Sequence, residues 1–301
     1  MVEKSFYYIK DLFSPDILYK LSRLDLKYYS TVRTLLKGQH ISKSVGPNIE
    51  YAEHREYVPG DDIRRIDWKV LARQDRLSIK LQQEEESLPV EIFVDVSRSM
   101  YFPEKNNLIK KLENALFLGL GTGFVFLNKK DKVRIHFFSD SVFNYEGNLP
   151  LSFGDLCNVL MRVPQDEKSD FKRIFNQIIE FISPGSLIIF ITDAITDEDI
   201  FIKGMKMIAG KDVVVATAHI LSSFEIDLIR TKPVIYLDSE INNELNVDPL
   251  YIRENFKQRI SSFIQTISSE LRKNGCIYTF LLNENNRVDN LFKFLSNFVN
   301  Q

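Results

Sequence analysis

The segment Val90-Glu91-Ile92-Phe93-Val94-Asp95-Val96-Ser97-Arg98-Ser99 decides the fold. Its first seven residues form a short apolar run rich in β-branched side chains, which predicts a buried strand. The polar residues that follow lead into a long helical pattern over 106–127. A strand that ends in a turn and continues into a helix is the repeating unit of an α/β protein.

The same alternation continues to the end of the chain. Strands are predicted over 132–138, 186–191, 213–220, 234–237 and 276–282, and helices over 151–161, 171–182, 200–208, 251–271 and 288–299. Strands that are apolar along their whole length are buried on both faces, which is typical of a parallel sheet covered by helices. We therefore predict a doubly wound, mostly parallel α/β domain over residues 89–301. Residues 1–88 have helical periodicity after Ser14, a predicted N-cap, and few strand signals, so we expect an N-terminal helical and irregular module there.

Composition excludes several classes of protein. The 301 residues include 39 Lys and Arg against 41 Asp and Glu, a net charge of −2, which is not the strong positive field of a dedicated nucleic-acid binder. The two cysteines, Cys157 and Cys276, have no metal-ligand spacing and fit a reducing compartment. The N-terminus has no export-signal pattern, and no apolar run reaches the length of a membrane span. We predict a cytoplasmic protein.

Oxygen-bearing side chains follow two of the predicted strands. Asp95, Ser97 and Ser99 come after the first strand, and Asp193 follows the strand over 186–191. In a doubly wound sheet, ligands bind beyond the carboxyl ends of the strands, where the strand order reverses. Such a set of oxygen donors suits a hard divalent cation. The competing interpretation is that Asp95, Ser97 and Asp193 only cap the helices that follow them.

Two resemblances sharpen this prediction. The run Asp95–Ser99, together with Asp193, resembles the metal-ion-dependent adhesion site of von Willebrand factor A domains. The longer run Arg55-Glu56-Tyr57-Val58-Pro59-Gly60-Asp61-Asp62-Ile63-Arg64-Arg65-Ile66-Asp67-Trp68-Lys69, continuing through Ala72-Arg73, resembles the signature of a bacterial family known as domain of unknown function 58, which joins it to an A-like domain. The resemblance implies a magnesium or manganese ion held by Asp95, Ser97, Ser99 and Asp193, and association with a MoxR-type AAA+ ATPase.

The sequence departs from the adhesion-site pattern at one position. The pattern expects a threonine ligand between the two carboxylates, whereas the matching stretch Gln165–Phe171 contains neither threonine nor glycine. Ser169 is the predicted substitute because its hydroxyl is chemically equivalent, and Asp170 is the alternative. The cation would then be held more weakly, or the site would have lost it.

The signature around Trp68 has two interpretations. Asp61 and Asp62 are placed to cap a short helix near Ile63, and Arg64 and Arg65 can pair with carboxylates through their guanidinium groups. The five residues Asp61, Asp62, Arg64, Arg65 and Trp68 form either an internal staple between the module and the sheet or a partner-docking surface. A lone tryptophan is more often a core anchor, so we expect Trp68 to be buried.

No catalytic constellation is apparent. The run Gly119-Leu120-Gly121-Thr122-Gly123 lies inside a helical pattern and lacks the rest of a nucleotide-binding motif, so we predict that its glycines serve helix packing. The favoured hypothesis is a non-enzymatic adaptor whose metal ion accepts a carboxylate from a partner protein. The alternatives are a metal-dependent phosphohydrolase, in which the cation acts as a Lewis acid, and a metal-free structural scaffold.

Overall fold

A computed structural model describes residues 14–24, 54–58, 66–74, 76–80, 87–103, 110–144, 170–227, 234–237, 244–247 and 249–298. The chain divides into two compact units. The larger comprises Met1–His40 and Leu88–Gln301, and the smaller comprises Ile41–Ser87. These bounds differ from the predicted modules 1–88 and 89–301 because the first described helix belongs to the larger unit, where its Leu21 is buried in the core.

In chain order, the elements are α1 (Pro15–Ser22), β1 (His54–Glu56), α2 (Trp68–Gln74), β2 (Ser78–Lys80), β3 (Pro89–Asp95), a 3-10 turn (Arg98–Tyr101), α3 (Lys111–Asn128), β4 (Lys132–Phe138), β5 (Val142–Asn144), α4 (Phe171–Phe181), β6 (Ser186–Thr192), α5 (Glu198–Ala209), β7 (Val213–Leu221), α6 (Ser223–Ile226), β8 (Val234–Leu237), β9 (Glu244–Val247), α7 (Pro249–Lys273), β10 (Ile277–Leu282) and α8 (Arg287–Ser296). Helix α1 begins after Ser14, whose hydroxyl accepts a hydrogen bond from the Ile17 amide as predicted for an N-cap.

The larger unit is built on a six-stranded sheet in the order β10-β7-β6-β3-β4-β5. The first five of these strands are parallel, and β5 pairs with β4 in the antiparallel sense. The chain passes from β3 to β4 on one side and then returns to β6 on the other side of β3. The strand order therefore reverses between β3 and β6, which is the position where α/β sheets bind ligands.

Helices cover both faces of this sheet, as the apolar strands predicted. All seven residues of β6 and all nine of β7 are buried. On one face, the strands pack against α1, α3 and α8, and on the other they pack against α4, α5 and α7. The prediction of a doubly wound α/β fold is confirmed.

The predicted elements agree closely with the described ones. The principal strands begin and end within about one residue of their predicted bounds. The segment 234–237 is also a strand, but it pairs with β9 in a separate two-stranded sheet. The predicted helix over 151–161 lies outside the described residues.

Two of the three glycines of α3 let this helix lie close to its neighbours. A Cβ at Gly119 would come within 3.1 Å of the Val94 side chain, and one at Gly121 would meet Leu291 of α8 at 2.5 Å. A side chain at Gly121 would clash with α8, and one at Gly119 would press against the sheet, so the glycines allow the observed close packing. The prediction that the glycine run serves packing is confirmed.

Candidate functional site

The carboxyl ends of β3 and β6 bring together the side chains that the sequence singled out. The two strands are parallel neighbours, with Val94 opposite Ile191, so that Asp95 and Thr192 end them side by side. Ser97 and Ser99 lie in the turn after β3, and Asp193 directly follows β6. Asp95, Ser97, Ser99 and Asp193 are all buried. We call these four residues the strand-end cluster.

Asp95 is fully engaged by the chain itself. Its Oδ1 accepts a hydrogen bond from the Ser97 amide at 2.9 Å, and its Oδ2 accepts one from the Thr192 hydroxyl at 2.5 Å. Burial, together with the nearby charge of Asp193, raises the pKa of Asp95 to about 7. Two carboxylates placed this close favour the protonated form of one of them.

The two serines connect Asp95 to the second carboxylate. The Ser97 and Ser99 hydroxyl oxygens are 3.1 Å apart, and the Ser99 hydroxyl also hydrogen-bonds to Asp193. The Oδ1 of Asp193 accepts a hydrogen bond from the Ile195 amide at 3.1 Å. The hydroxyls that were predicted to bind a metal ion thus form a continuous chain of hydrogen bonds between the carboxylates.

A buried lysine, absent from the predicted site, completes this arrangement. Lys111 is the first residue of α3, and its side chain is 0% exposed. Its Nζ donates to Oδ2 of Asp193 at 2.7 Å and to Oε1 of Glu225 at 2.5 Å. We call Lys111, Asp193 and Glu225 the ammonium triad.

The charges of the triad stabilise one another against the cost of burial. Burial by itself would lower the pKa of Lys111, but the charges of Asp193 and Glu225 outweigh it and raise that pKa. Burial would likewise raise the pKa of Asp193, but Lys111 holds it below its usual value. The pKa of Glu225 is raised because burial is only partly offset by Lys111. Lys111 therefore carries its positive charge inside the protein.

Groups after β7 and β10 hold Glu225 in place. Ser222 and Glu225 form a capping box at α6, in which Oε2 of Glu225 accepts from the Ser222 amide at 2.8 Å. The Ser222 hydroxyl in turn donates to Oε1 of Glu284 at 2.5 Å. The carboxyl edges of four neighbouring strands, β3, β6, β7 and β10, thus contribute to one polar network.

His219 supports Asp193 from the backbone side. Its Nε2 is 2.8 Å from the Asp193 carbonyl oxygen, and its Nδ1 is 2.7 Å from the Tyr278 hydroxyl. Because a carbonyl oxygen only accepts, Nε2 carries the proton and Nδ1 accepts from Tyr278. Burial lowers the pKa of His219 to about 4, so the ring is neutral near pH 7.

The residues as placed do not fit a divalent cation. Each carboxylate oxygen of Asp95 and Asp193 already accepts a hydrogen bond. The Oδ2 oxygen of Asp193, which no backbone amide of the described residues contacts, accepts its bond from the Lys111 ammonium. A magnesium ion bound to Oδ2 of Asp193 would lie within about 5 Å of that ammonium, where the repulsion is on the order of 7 kcal/mol at an effective dielectric constant of 20. The described residues include no group of three His, Cys, Asp or Glu arranged to hold a metal. The magnesium prediction stays a prediction.

The threonine that the adhesion-site pattern expects, and that this chain lacks at the matching stretch, has a local counterpart. Ser169, the predicted substitute, lies outside the described residues. Asp170 is exposed and caps α4, accepting a hydrogen bond from the Arg173 amide at 3.1 Å, so it has a structural role. Thr192 provides a hydroxyl to Asp95 instead. Its position, as the last residue of a buried strand and directly before Asp193, is a signal that the sequence already contained.

The sequence patterns that could have identified Lys111 and Glu225 as site residues are weaker than the one for Thr192. A lysine in the first turn of a helix opposes the helix dipole, so a buried one at the start of apolar α3 requires nearby carboxylates. The capping-box pattern Ser222-x-x-Glu225 is also visible in the sequence. Neither pattern indicates that the two residues meet, because they are 114 positions apart.

The smaller unit carries the signature residues that were predicted to dock a partner. Asp61, Asp62, Arg64 and Arg65 lie outside the described residues, as does the predicted helix start near Ile63. Helix α2 begins at Trp68, and Asp67 accepts a hydrogen bond from the Val70 amide at its first turn. Trp68 is 61% exposed, so the prediction that it is a core anchor is wrong. Its partner-docking role stays a prediction.

Three of the solved structures that are similar to this chain are compared with it by identity, coverage and TM-score. The protein BatB from Bacteroides thetaiotaomicron is 19% identical, with a TM-score of 0.42, and the match covers 71% of this chain and 100% of that one. An aerotolerance-related membrane protein from Bacteroides fragilis is 17% identical, with a TM-score of 0.44 and coverages of 70% and 98%. The VWA domain of SpRpn10 is 12% identical, with a TM-score of 0.40 and coverages of 68% and 94%.

The cytoplasmic location predicted from the sequence is contradicted by these similarities, since one of the similar structures is that of a membrane protein. The prediction depended on the lack of an export-signal pattern and of an apolar run long enough to span a membrane, and on two cysteines that fit a reducing compartment. None of these tests attachment to a membrane by other means. Among the described residues, no helix combines the length and apolar character that crossing a bilayer requires.

Curated relatives and a family model complete the comparison. Uncharacterized proteins of Mycobacterium bovis and Mycobacterium tuberculosis are 33% identical over 118 residues, which is 38% of this chain. The match spans only 37% of the length of those relatives. The model of a protein family of unknown function, DUF58, matches residues 53–263, more than half of the chain. The chain therefore belongs to the DUF58 family.

Proposed function

We propose that this protein is an interaction module that binds a partner protein at the carboxyl edge of its parallel sheet. The observation that supports this most is the convergence of the strand-end cluster and the ammonium triad at the switch point between β3 and β6. In open α/β sheets this position is where ligands bind. A buried polar network there also keeps the surrounding loops in one conformation, which a binding surface requires.

Apolar side chains on the surface of the same edge support a protein partner. Ile195 lies in the loop after β6, Ile200 in the first turn of α5, and Phe224 in the short helix after β7. All three are among the exposed large hydrophobic residues. Single exposed apolar residues are common, but three that follow two neighbouring strands at the same edge of the sheet favour protein contact there.

The partner that we propose is a MoxR-type AAA+ ATPase. This choice comes from the resemblance to the DUF58 signature. The apolar residues give the contact area, and the polar network beneath them fixes their positions. An interaction of this kind does not require that this chain carry out a reaction.

Binding between the purified full chain and the MoxR-type ATPase of the same organism tests the proposal. Helix α5 offers a matched pair of variants, because Ile200 and Met207 are 38% and 39% exposed and lie at opposite ends of the helix. We expect Ile200→Ser combined with Phe224→Ser to weaken binding by at least about tenfold, since each truncated contact at an interface centre costs roughly 1 kcal/mol or more. Met207→Ser should bind like the wild type. Equal binding by all three proteins would contradict the proposal.

The alternative of a metal-dependent phosphohydrolase makes a different prediction. It requires turnover of phosphate esters in magnesium or manganese that disappears when Asp95 is replaced by Asn. An interaction module should show no turnover under these conditions. Turnover with that dependence on Asp95 would replace the proposal of a binding role.

A further inference from the structure

We propose that the buried ammonium of Lys111 takes the place of a divalent cation at this site, so that the strand-end cluster is assembled, and its Asp193 carboxylate is given a counter-charge, without a metal ion. The proposal concerns how the site is held together, and it does not rest on the proposed partner. It predicts a von Willebrand A-like site whose cation is part of the polypeptide.

Lys111 lies where its positive charge contacts one of the predicted metal ligands. Its Nζ contacts Asp193, which is one of the four residues predicted as metal ligands, and lies at hydrogen-bond distance from Glu225 as well. The side chain is fully buried, and the lysine is fixed at its backbone as the first residue of α3. A positive charge is thus present where a metal ion would be expected to supply one.

The predicted metal ligands already form hydrogen bonds within the chain. Asp95 accepts from the Ser97 amide and the Thr192 hydroxyl, and the Ser97 and Ser99 hydroxyls bond to each other. A metal ion that bound these oxygens would have to break several of these bonds and displace the ammonium. Because magnesium also loses its own water ligands reluctantly, the exchange is unfavourable.

The surroundings of Lys111 explain why a charged lysine is stable inside the protein. A buried ammonium is tolerated only where carboxylates accept hydrogen bonds from it, and here two do so. The start of a helix is an unfavourable place for a positive charge, because the exposed amide groups there carry partial positive charge themselves. Lys111 is therefore held in the site by Asp193 and Glu225 and not by the preference of its helix.

A consequence follows for recognition. A metal ion with an open coordination position would select an anionic oxygen from a partner, whereas the ammonium triad already pairs its cation with two carboxylates of its own chain. Capture of a partner should therefore be insensitive to chelators, in contrast to the metal-dependent adaptor that the sequence suggested.

The test compares metal binding by the wild type and by Lys111→Met, with Lys206→Met as a control. Lys206 pairs with Glu270 at 2.7 Å on the surface, so the control removes an exposed ammonium by the same substitution. In the wild-type full chain, we expect calorimetry to detect no saturable heat with millimolar MgCl₂ or MnCl₂. The melting temperature should differ by less than about 1 °C between magnesium and chelator.

Lys111→Met should melt roughly 6 to 20 °C below the wild type in chelator, because two buried carboxylates lose their counter-charge. Magnesium should stabilise this variant more than it stabilises the wild type, since the position becomes available. Lys206→Met should behave like the wild type in both buffers. If Lys111→Met does not yield folded protein, the wild-type titration and a Lys111→Arg variant, which keeps the charge and should fold, still decide the question.

Three results would overturn the proposal. The first is one magnesium or manganese ion bound per wild-type chain and lost in Asp193→Asn. The second is a Lys111→Met variant that melts with the wild type in chelator. The third is that magnesium raises the melting temperatures of the wild type and of Lys111→Met by the same amount. None of these depends on partner binding, so a failure here is distinguishable from a failure of the proposed interaction.

Discussion

Two buried carboxylates on the same sheet are neutralised in different ways. Asp193, at the carboxyl edge, pairs with Lys111, whose side chain is fully buried. Glu91, within β3, pairs with Arg134, whose side chain is 56% exposed, and its Oε2 is 2.7 Å from Nε2 of His136. The first carboxylate depends on a cation that has no contact with solvent, whereas the second is linked to the surface.

Because their cations differ in exposure, the Glu91–Arg134 pair and the ammonium triad should respond differently to loss of the cation. Arg134 lies on β4 beside β3, opposite Glu91 in the register, so the pair is a cross-strand contact that stabilises the sheet. Water can replace part of what Arg134 provides to Glu91. The ammonium triad joins residues from three separate crossovers, and its lysine side chain is fully buried, so water cannot replace it. We therefore expect larger consequences at the carboxyl edge.

Loss of Lys111 should have the largest effect on stability. Lys111→Met leaves Asp193 and Glu225 buried without a counter-charge, and we expect the free energy of unfolding to fall by about 3 to 5 kcal/mol. Urea denaturation measures this change. Adding Asp193→Asn to Lys111→Met should recover part of the loss, because the second substitution removes one of the unpaired charges. A double variant less stable than the single one would contradict the assignment of Lys111 as the counter-charge.

Loss of the charge on Glu91 should cost less. Glu91→Gln keeps the shape of the side chain but removes its charge and replaces one of the two acceptor oxygens that face Arg134 and His136 with an NH₂ donor. We expect a loss of about 1 to 3 kcal/mol by urea denaturation. The matched variant Arg134→Met should cost less than Lys111→Met, since its side chain is half-exposed. If Arg134→Met proved the more damaging of the two, the contrast between the buried and the surface-linked cluster would be wrong.

Acid should weaken the Glu91 cluster in a defined direction. Burial tends to raise the pKa of Glu91, but the hydrogen bonds and charges of His136 and Arg134 outweigh it and hold the pKa below its usual value of 4.5. A carboxylate with a lowered pKa in the folded state stabilises the protein above the unfolded value and loses that contribution as the pH falls through the folded value. Between pH 5 and pH 3, the stability of Glu91→Gln should therefore fall less steeply than that of the wild type. Parallel pH profiles would show that Glu91 is not the group responsible.

The smallest effect is expected at the surface. Lys206 and Lys273 both lie 2.7 Å from Glu270, but their side chains are exposed by 41% and 69%. Such pairs are screened by water and salt and contribute little. Lys206→Met should leave the denaturation midpoint unchanged within error. A loss comparable to that of Lys111→Met would mean that burial is not what distinguishes the ammonium triad.

The sequence predicted a doubly wound, mostly parallel sheet and the meeting of two carboxylates at its edge for the same physical reason. Apolar strands identify a parallel sheet, and parallel strands place Asp95 and Asp193 at one edge. The partners of those carboxylates were not predictable, because hydrogen-bond and charge pairing join residues far apart in the chain, as Lys111 and Glu225 show. Trp68 was mispredicted since composition favours burial of a lone tryptophan, whereas its exposure depends on how a small unit packs.

Diffraction from crystals of the wild-type protein soaked in MnCl₂, with anomalous data collected for manganese, tests the central claim most directly. We predict density for the Lys111 side chain between Asp193 and Glu225 and no anomalous peak among Asp95, Ser97, Ser99 and Asp193. An ordered manganese ion bound to those four residues, with Lys111 turned away from Asp193, would contradict it.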